Sequence, residues 1–235
     1  MGILAKPLGY LLTWLYNMIG SYGLALVVLT IIVKVALYPL YAKQIKTTTN
    51  MTKLQPKIKE IQQKYAKNKD LMNQKMAELY EKEGGSMYGG CLPMLVQMFV
   101  IMGLFGLLRN PMAYISDDNM LFAIHESFLW INDLAQPDKW ILPIVSGIAT
   151  FIAFNFSQTN ATPGANADQM NIMMKVMKYF FPLMILMMAR SYPAGLAVYW
   201  SVSQIIQIFY NIRFARLKKS LLGEDKKKKK KPARA

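Results

Sequence analysis

Apolar residues arrive in five long runs, at about 21–43, 90–109, 139–158, 174–191 and 194–213. A helix rises 1.5 Å per residue and the hydrocarbon layer is ~30 Å thick, so about twenty apolar residues make one span. The runs predict an all-α polytopic membrane protein with five transmembrane helices. Backbone in lipid must satisfy its own hydrogen bonds, and no alternating pattern points to a barrel. Ahead of them, Leu8, Leu11, Leu12, Leu15 and Ile19 recur at helical spacing, with Tyr10, Trp14 and Tyr16 alongside. Residues 1–20 therefore predict an N-terminal amphipathic interfacial helix. They lack the basic start and small-residue cleavage site of a signal peptide.

The polar segments have patterns of their own. Between the first two spans, Leu54, Ile58, Ile61 and Tyr65 recur at i, i+4, i+7 and i+11. After "KNKD" (Lys67–Asp70), Met72, Met76 and Leu79 repeat that spacing, and "EGG" (Glu83–Gly85) stops it. Two amphipathic helices joined by a short polar turn make a cytoplasmic hairpin over 44–88. It reads either as a solvated connector or as a basic arm for anionic lipid or RNA. "SQTNATPGANADQ" (Ser157–Gln169) reads as a flexible turn. "ARSYPAGL" (Ala189–Leu196) reverses the chain between the last two spans. Residues 214–235, with six consecutive lysines at 226–231, predict a basic disordered tail.

Charge sets the orientation. The chain is 54% hydrophobic and 17% charged, below the ~25% of soluble domains, with a net charge of +15. Ten lysines fall between 40 and 90 and eleven basic residues follow from Arg213, while 110–138 carries five acids. By the positive-inside rule the basic segments are cytoplasmic, so the N-terminus is outside and the C-terminus inside. Methionines cluster at 87–102 and 170–188. They read as ordinary gap-filling or as a soft surface for apolar ligands of varied shape.

Catalytic constellations are missing. There is one histidine (His125), one cysteine (Cys91), no metal-binding or phosphate-cradling motif, and no carboxylate inside a span. A Ser/Lys dyad of Lys34 with Ser201 or Ser203 lacks an oxyanion hole or a strained nucleophile turn. The reading is no enzyme, no metal and no cofactor. The one anomaly is Lys34, inside "LALVVLTIIVKVALYPL". An ammonium at mid-bilayer costs at least ~2.5–3.5 kcal/mol, and Lys34 lies about nine residues, or ~13 Å, from the anchor at Lys43. Snorkelling covers only part of that. Thr30 lies one turn earlier on the same face, and Gln97, Asn155, Ser201, Ser203, Gln204 and Gln207 add polarity inside other spans. Together they predict a hydrated, cationic cavity reached from the cytoplasmic side.

The stretches "VKVALYPLYAKQIKTTTNMTKLQPKIKEIQQKY", "GGCLPMLVQM", "FLWINDLAQPDKWILPIVSGIATF" and "YPAGLAVYWSVSQIIQI" resemble, in order and spacing, signatures of the YidC/Oxa/Alb membrane protein insertases over about 20–213. The resemblance implies a five-helix core around a positively charged groove, open to cytoplasm and lipid. It also implies insertion and folding of membrane proteins without nucleotide, alone or beside the Sec translocon. Lys34 stands where this family usually has a groove arginine, Thr30 matches its threonine, and Trp200 its last-span aromatic. Lysine keeps the charge and loses the bidentate fork. Where some members place a glutamine in the third span, this chain has Ala153 and Phe154, with Asn155 as the candidate substitute. The expected partners are nascent membrane-protein substrates, the Sec translocon, ribosomes through the basic tail, and anionic lipids, with the chain a monomer in a bacterial cell membrane. The competing readings are a small transporter or channel with a cationic cavity, and a ribosome-tethering anchor.

Overall fold

The computed structural model describes residues 2–83, 92–115, 117–158 and 167–230. Among them are eight α-helices: α1 (Gly2–Ile19), α2 (Tyr22–Lys64), α3 (Lys69–Glu83), α4 (Leu92–Arg109), α5 (Asp118–Ala123), α6 (Ile141–Gln158), α7 (Ala167–Ala189) and α8 (Ala194–Lys230), with a 3₁₀ turn at Pro111–Ala113. The described residues hold no strand, only an isolated bridge between Phe128 and Ile131. Tyr22–Lys43 is long and apolar enough to cross a membrane, while Met98–Arg109 and Ile141–Phe156 are shorter apolar helices.

The main core joins α1, α2, α4, α8 and the 110–138 loop. Leu12, Leu26, Leu29, Leu104, Met120, Leu134 and Tyr199 are buried in it. Gly20, with φ of 71°, turns the chain from α1 into α2, a conformation that strains residues with a Cβ. At Gly23 an added methyl would sit 2.2 Å from the Phe128 ring, so only glycine lets the loop close onto α2. The loop also satisfies the helix ends. Ser21 gives α2 no side-chain cap, and Glu126 accepts the Tyr22 N–H at 2.8 Å and the Tyr16 hydroxyl at 2.6 Å. That hydrogen bond, with burial and the nearby Asp117 charge, holds the Tyr16 phenol above its usual range. Leu134 and Gln136 carbonyls accept the N–H groups of Gly195 and Ala194 at the start of α8. Asp138 accepts from Leu142 N–H, Trp130 Nε1 and Trp140 N–H at 2.9–3.1 Å. Burial pushes this carboxyl up, but those donors outweigh it and hold it below the usual carboxylate range.

The opposite end is a hairpin with its own small core. Leu54 and Ile58 of α2 bury against Met76 and Tyr80 of α3, flanked by Ile61, Met72 and Leu79. Lys57 pairs with Glu83 across the hairpin, and burial raises the Tyr80 phenol.

Three expectations need correction. The first span and the first hairpin helix are one continuous 43-residue helix that carries Pro39 and Pro56 within it. From 43 to 64 the sequence holds no glycine and many Lys and Gln residues, so the helix propagates once begun. Of the expected 157–169 turn, Ser157 and Gln158 belong to α6 and Ala167–Gln169 to α7; residues 159–166 lie outside the described ones. The tail expected to be disordered continues α8 as far as Lys230. Phe214 is buried between the rings of Tyr38 and Tyr210, which carries the helix past the last span into lysines and leucines that favour it.

Much apolar surface faces outward. Ile144, Ile148 and Ile152 on α6, Tyr179, Phe180, Leu183 and Met187 on α7, and Ile205 and Phe209 on α8 are all exposed. In water such surface would be an association site; in lipid it is the ordinary exterior of a bundle.

Candidate functional site

Lys34 is 3% exposed, buried within Tyr22–Lys43, the apolar stretch of α2. Two supports come from its surroundings. Its Nζ donates to Gln207 Oε1 of α8 at 3.3 Å, and it lies over the Tyr41 ring, 5.6 Å from the centroid. A neutral amide and an aromatic face each recover part of the lost hydration, the latter by roughly 0.5–2 kcal/mol. Tyr41 lies two turns on from Lys34 along α2, so its ring leans back over the charge. The Tyr210 hydroxyl donates to the Lys34 carbonyl at 3.2 Å, and Tyr38, Tyr41, Tyr210 and Phe214 pack ring to ring with centroids 5.3–6.2 Å apart. This aromatic cluster joins α2 to α8 on the hairpin side of the lysine.

From Gln207 a polar seam runs along α8. Gln207 Nε2 donates to Asn211 Oδ1 at 3.2 Å, and Asn211 Nδ2 to the Ala153 carbonyl of α6 at 3.0 Å. Further along, the Trp200 indole N–H donates to Thr150 Oγ1 at 2.9 Å, and the Ser146 and Ser201 hydroxyls share a hydrogen bond at 2.8 Å. Trp200, Gln204, Gln207 and Asn211 follow a 4-3-4 spacing, which puts them on one face. Ser146 and Thr150 form the matching i, i+4 pair on α6.

The residues singled out from sequence separate into groups. Lys34 meets this seam at Gln207, and Trp200 lies two turns earlier on α8. Ser203 is buried on α8 and Gln204 half-buried on the seam's face. Thr30 is fully buried one turn from Lys34, and its hydroxyl donates to the Leu26 carbonyl at 2.7 Å, within its own helix. Asn155 points away: it is exposed, and at nine residues past Ser146, about two and a half turns, it lies on the far side of α6. Asn211 meets the Ala153 wall instead. Gln97 is on α4, with a side chain outside the described residues. Cys91 and residues 84–90 also lie outside them. Ser146, Thr150, Tyr41 and Asn211 were missed. The i, i+4 hydroxyl pair on α6 was a readable signal; that Tyr41 stacks on Lys34 was not.

No group of three or more potential metal ligands occurs among the described residues. His125 lies in the loop with Nδ1 3.1 Å from Asp133 Oδ2, far along the chain from Lys34.

Comparison with known proteins identifies the family. The family model described as "60Kd inner membrane protein" matches residues 14–220. The chain is 35% identical over 207 residues to a membrane protein insertase YidC of Fusobacterium nucleatum, covering 88% of this chain and 92% of that protein. A YidC of a Geobacter species is 36% identical over 208 residues, which amount to 36% of its length. Among solved structures, a crystal structure of an active YidC insertase with its first transmembrane domain resolved superposes with a TM-score of 0.59 at 27% identity. That match covers 88% of this chain and 45% of the other. A helical bundle with one apolar helix long enough to span, built around a buried lysine, thus coincides with a family match over most of the sequence, and the chain belongs to the 60Kd inner membrane protein family, that of the YidC membrane protein insertases.

Proposed function

We propose that this chain inserts and helps fold integral membrane proteins, using the Lys34 seam as a cationic, hydrated groove open to cytoplasm and lipid. The observation that carries the reading is Lys34 itself, an ammonium 3% exposed that meets a neutral amide and a ring face. Both contacts can give way to a substrate carboxylate, and charge-assisted hydrogen bonds are the stronger kind.

The energetics follow from membrane solvation. A charged tail crossing dry hydrocarbon meets several kcal/mol of resistance, and a wet groove part-way across shortens that path. Lys34 attracts acidic residues of the tail, while the substrate's apolar span leaves for lipid at ~25 cal/mol per Å² of surface. No nucleotide is needed. In this reading the five spans cross a bacterial cell membrane with the N-terminus outside, and the chain works as a monomer, alone or beside the Sec translocon. The hairpin receives the substrate, and the basic tail touches ribosomes and anionic lipid. Deleting 226–231 should weaken ribosome association at low salt and leave a post-translational client nearly unaffected. A mere ribosome anchor leaves Lys34 without a task, and a transporter calls for inverted repeats and broken helices, which the sequence does not show.

The deciding experiment is depletion of the resident insertase in a bacterial host and rescue with this chain, scored by membrane proteomics. Restoration of single- and double-spanning clients is expected. A folded, membrane-resident chain that restores none would overturn the proposal. A cysteine at position 34, in a Cys91→Ser background, should react with a water-soluble maleimide from the cytoplasmic side; complete protection would remove the hydrated groove.

A further inference from the structure

On the loop side of the molecule, away from Lys34, α1 and the 110–117 segment enclose a cavity of about 360 Å³. It is lined by Gly9, Tyr10, Thr13, Tyr114, Ile115 and Asp117. That volume is at the small end of the range of ligand sites. Gly9 lets α1 approach this wall closely: a Cβ there would lie 3.1 Å from the Tyr114 carbonyl oxygen and 3.2 Å from the Leu107 side chain.

The chemistry of the lining has one sign. Asp117 brings a carboxylate, and no lining residue is basic. Its Oδ1 accepts the Asn119 N–H at 3.0 Å, which uses one of about four lone-pair sites on a carboxylate. The Thr13 hydroxyl donates to the Gly9 carbonyl at 3.0 Å, which leaves its oxygen as an acceptor. Tyr10 and Tyr114 add ring faces and phenolic oxygens. Acceptors, π faces and one negative charge together select a donor-bearing cation, that is, an ammonium.

The surroundings select the source of that ammonium. Tyr10, Trp14 and Met18 recur every four residues along α1, and all three are exposed, at 70%, 55% and 68%. An exposed apolar stripe with aromatic members suits the boundary of headgroups and acyl chains. Lys6 is exposed one turn before Tyr10 on the same edge of the helix, placed for a phosphate. A group with an ammonium on one side, a phosphate beside it and acyl chains attached satisfies all three features. We infer that this cavity binds the primary-ammonium headgroup of a zwitterionic phospholipid, with Asp117, Tyr10 and Tyr114 on the ammonium and Lys6 on the phosphate. The inference rests on the proposed membrane placement of α1, and it is independent of whether Lys34 handles substrates.

The test measures lipid retained on the full chain by native mass spectrometry, after reconstitution in vesicles that mix dioleoyl phosphatidylethanolamine, phosphatidylcholine and phosphatidylglycerol. The wild-type chain should retain the ethanolamine lipid preferentially. Asp117→Asn keeps the capping oxygen of α5 and removes the charge, and should reduce that retention about tenfold. Tyr10→Leu, at an exposed position, should reduce it less. Insertion activity is measured on the same samples, so a failure of the insertase reading shows separately. Unchanged selectivity in Asp117→Asn overturns the inference. So does equal retention of the trimethylated choline headgroup, which offers no N–H to the acceptors. Displacement of the lipid by an equal concentration of soluble glycerophosphoethanolamine would overturn the lipid as the source.

Discussion

Lys34 and Lys57 lie on the same helix, α2, and have opposite physical situations. The Lys57 side chain is 55% exposed and pairs with Glu83 across the hairpin. Water already solvates both charges, so such a pair contributes only ~0–1 kcal/mol. Lys34 is almost wholly buried and is held by Gln207 and the Tyr41 ring. Burial there costs several kcal/mol before any partner is counted. A charge in water needs no explanation, whereas one kept inside a bundle against that cost marks a site. The hairpin inverts the assignment of roles: its charges are incidental to its stability, and its buried Leu54, Ile58, Met76 and Tyr80 carry it.

The largest effect should come from reversing the charge at the buried position. Lys34→Glu should lower insertion of clients with acidic tails by about tenfold or more, the factor that ~1.4 kcal/mol makes. Lys34→Arg should retain it. A kinetic insertion assay with one acidic-tailed and one neutral-tailed client reads both, and full activity of the Glu variant would make charge irrelevant at that site.

Second comes the apolar half of the comparison. Ile58 is 2% exposed, so Ile58→Asp removes its packing and places a carboxylate there. We expect ~2–5 kcal/mol of local destabilisation. Hydrogen exchange of the α3 amides should accelerate, and insertion should fall even at high salt, where attraction alone would be screened. Unchanged exchange in α3 would show that the hairpin does not depend on this core.

A smaller effect separates the two asparagines. Asn211→Ala removes the donor to the Ala153 carbonyl and the acceptor for Gln207, worth ~1–3 kcal/mol at a buried site. Asn155→Ala, at an exposed position, should change stability by less than ~0.5 kcal/mol. Thermal unfolding in one detergent ranks them, and equal shifts would remove the seam's claim to Asn211.

The smallest effect belongs to the exposed pair Lys75–Glu78, at 2.9 Å. The hydrogen bond with Lys75 holds the Glu78 carboxyl below its usual range, and the same bond raises Lys75. A carboxyl lowered on folding stabilises above its unfolded pKa, and that contribution disappears as pH falls through the folded one. The hairpin should therefore loosen slightly on acidification, and Glu78→Gln should remove only that pH dependence. A larger loss at neutral pH would show that the pair does more than surface ion pairs do.

Leu54, Ile58, Ile61, Met72, Met76 and Leu79 are legible in the amphipathic repeats, because a helix that packs in water writes its buried face into a 3.6-residue period. Tyr80 escaped notice, since neighbouring Leu79 satisfies the same period. Inside the apolar runs that signal weakens: lipid accepts the same side chains as the core does, so periodicity there says little about which face is buried. Asn155 was misplaced for that reason, its polarity being visible while its rotation about α6 was not.

The sequence by itself determined the helical class, the position of Lys34 in an apolar run, and the two hairpin stripes, since each depends on spacing along one chain. It also carried the family's motifs. Only the tertiary structure decided that Gln207 meets the ammonium and that Asn211 faces Ala153 where Asn155 does not. The reason is geometric. A residue's neighbours along one helix are fixed by its pitch, but its neighbours on another helix depend on how the two are rotated and shifted. That choice is made by contacts such as Gly23 beneath Phe128 and Ser146 against Ser201, which join residues 55 to 105 positions apart.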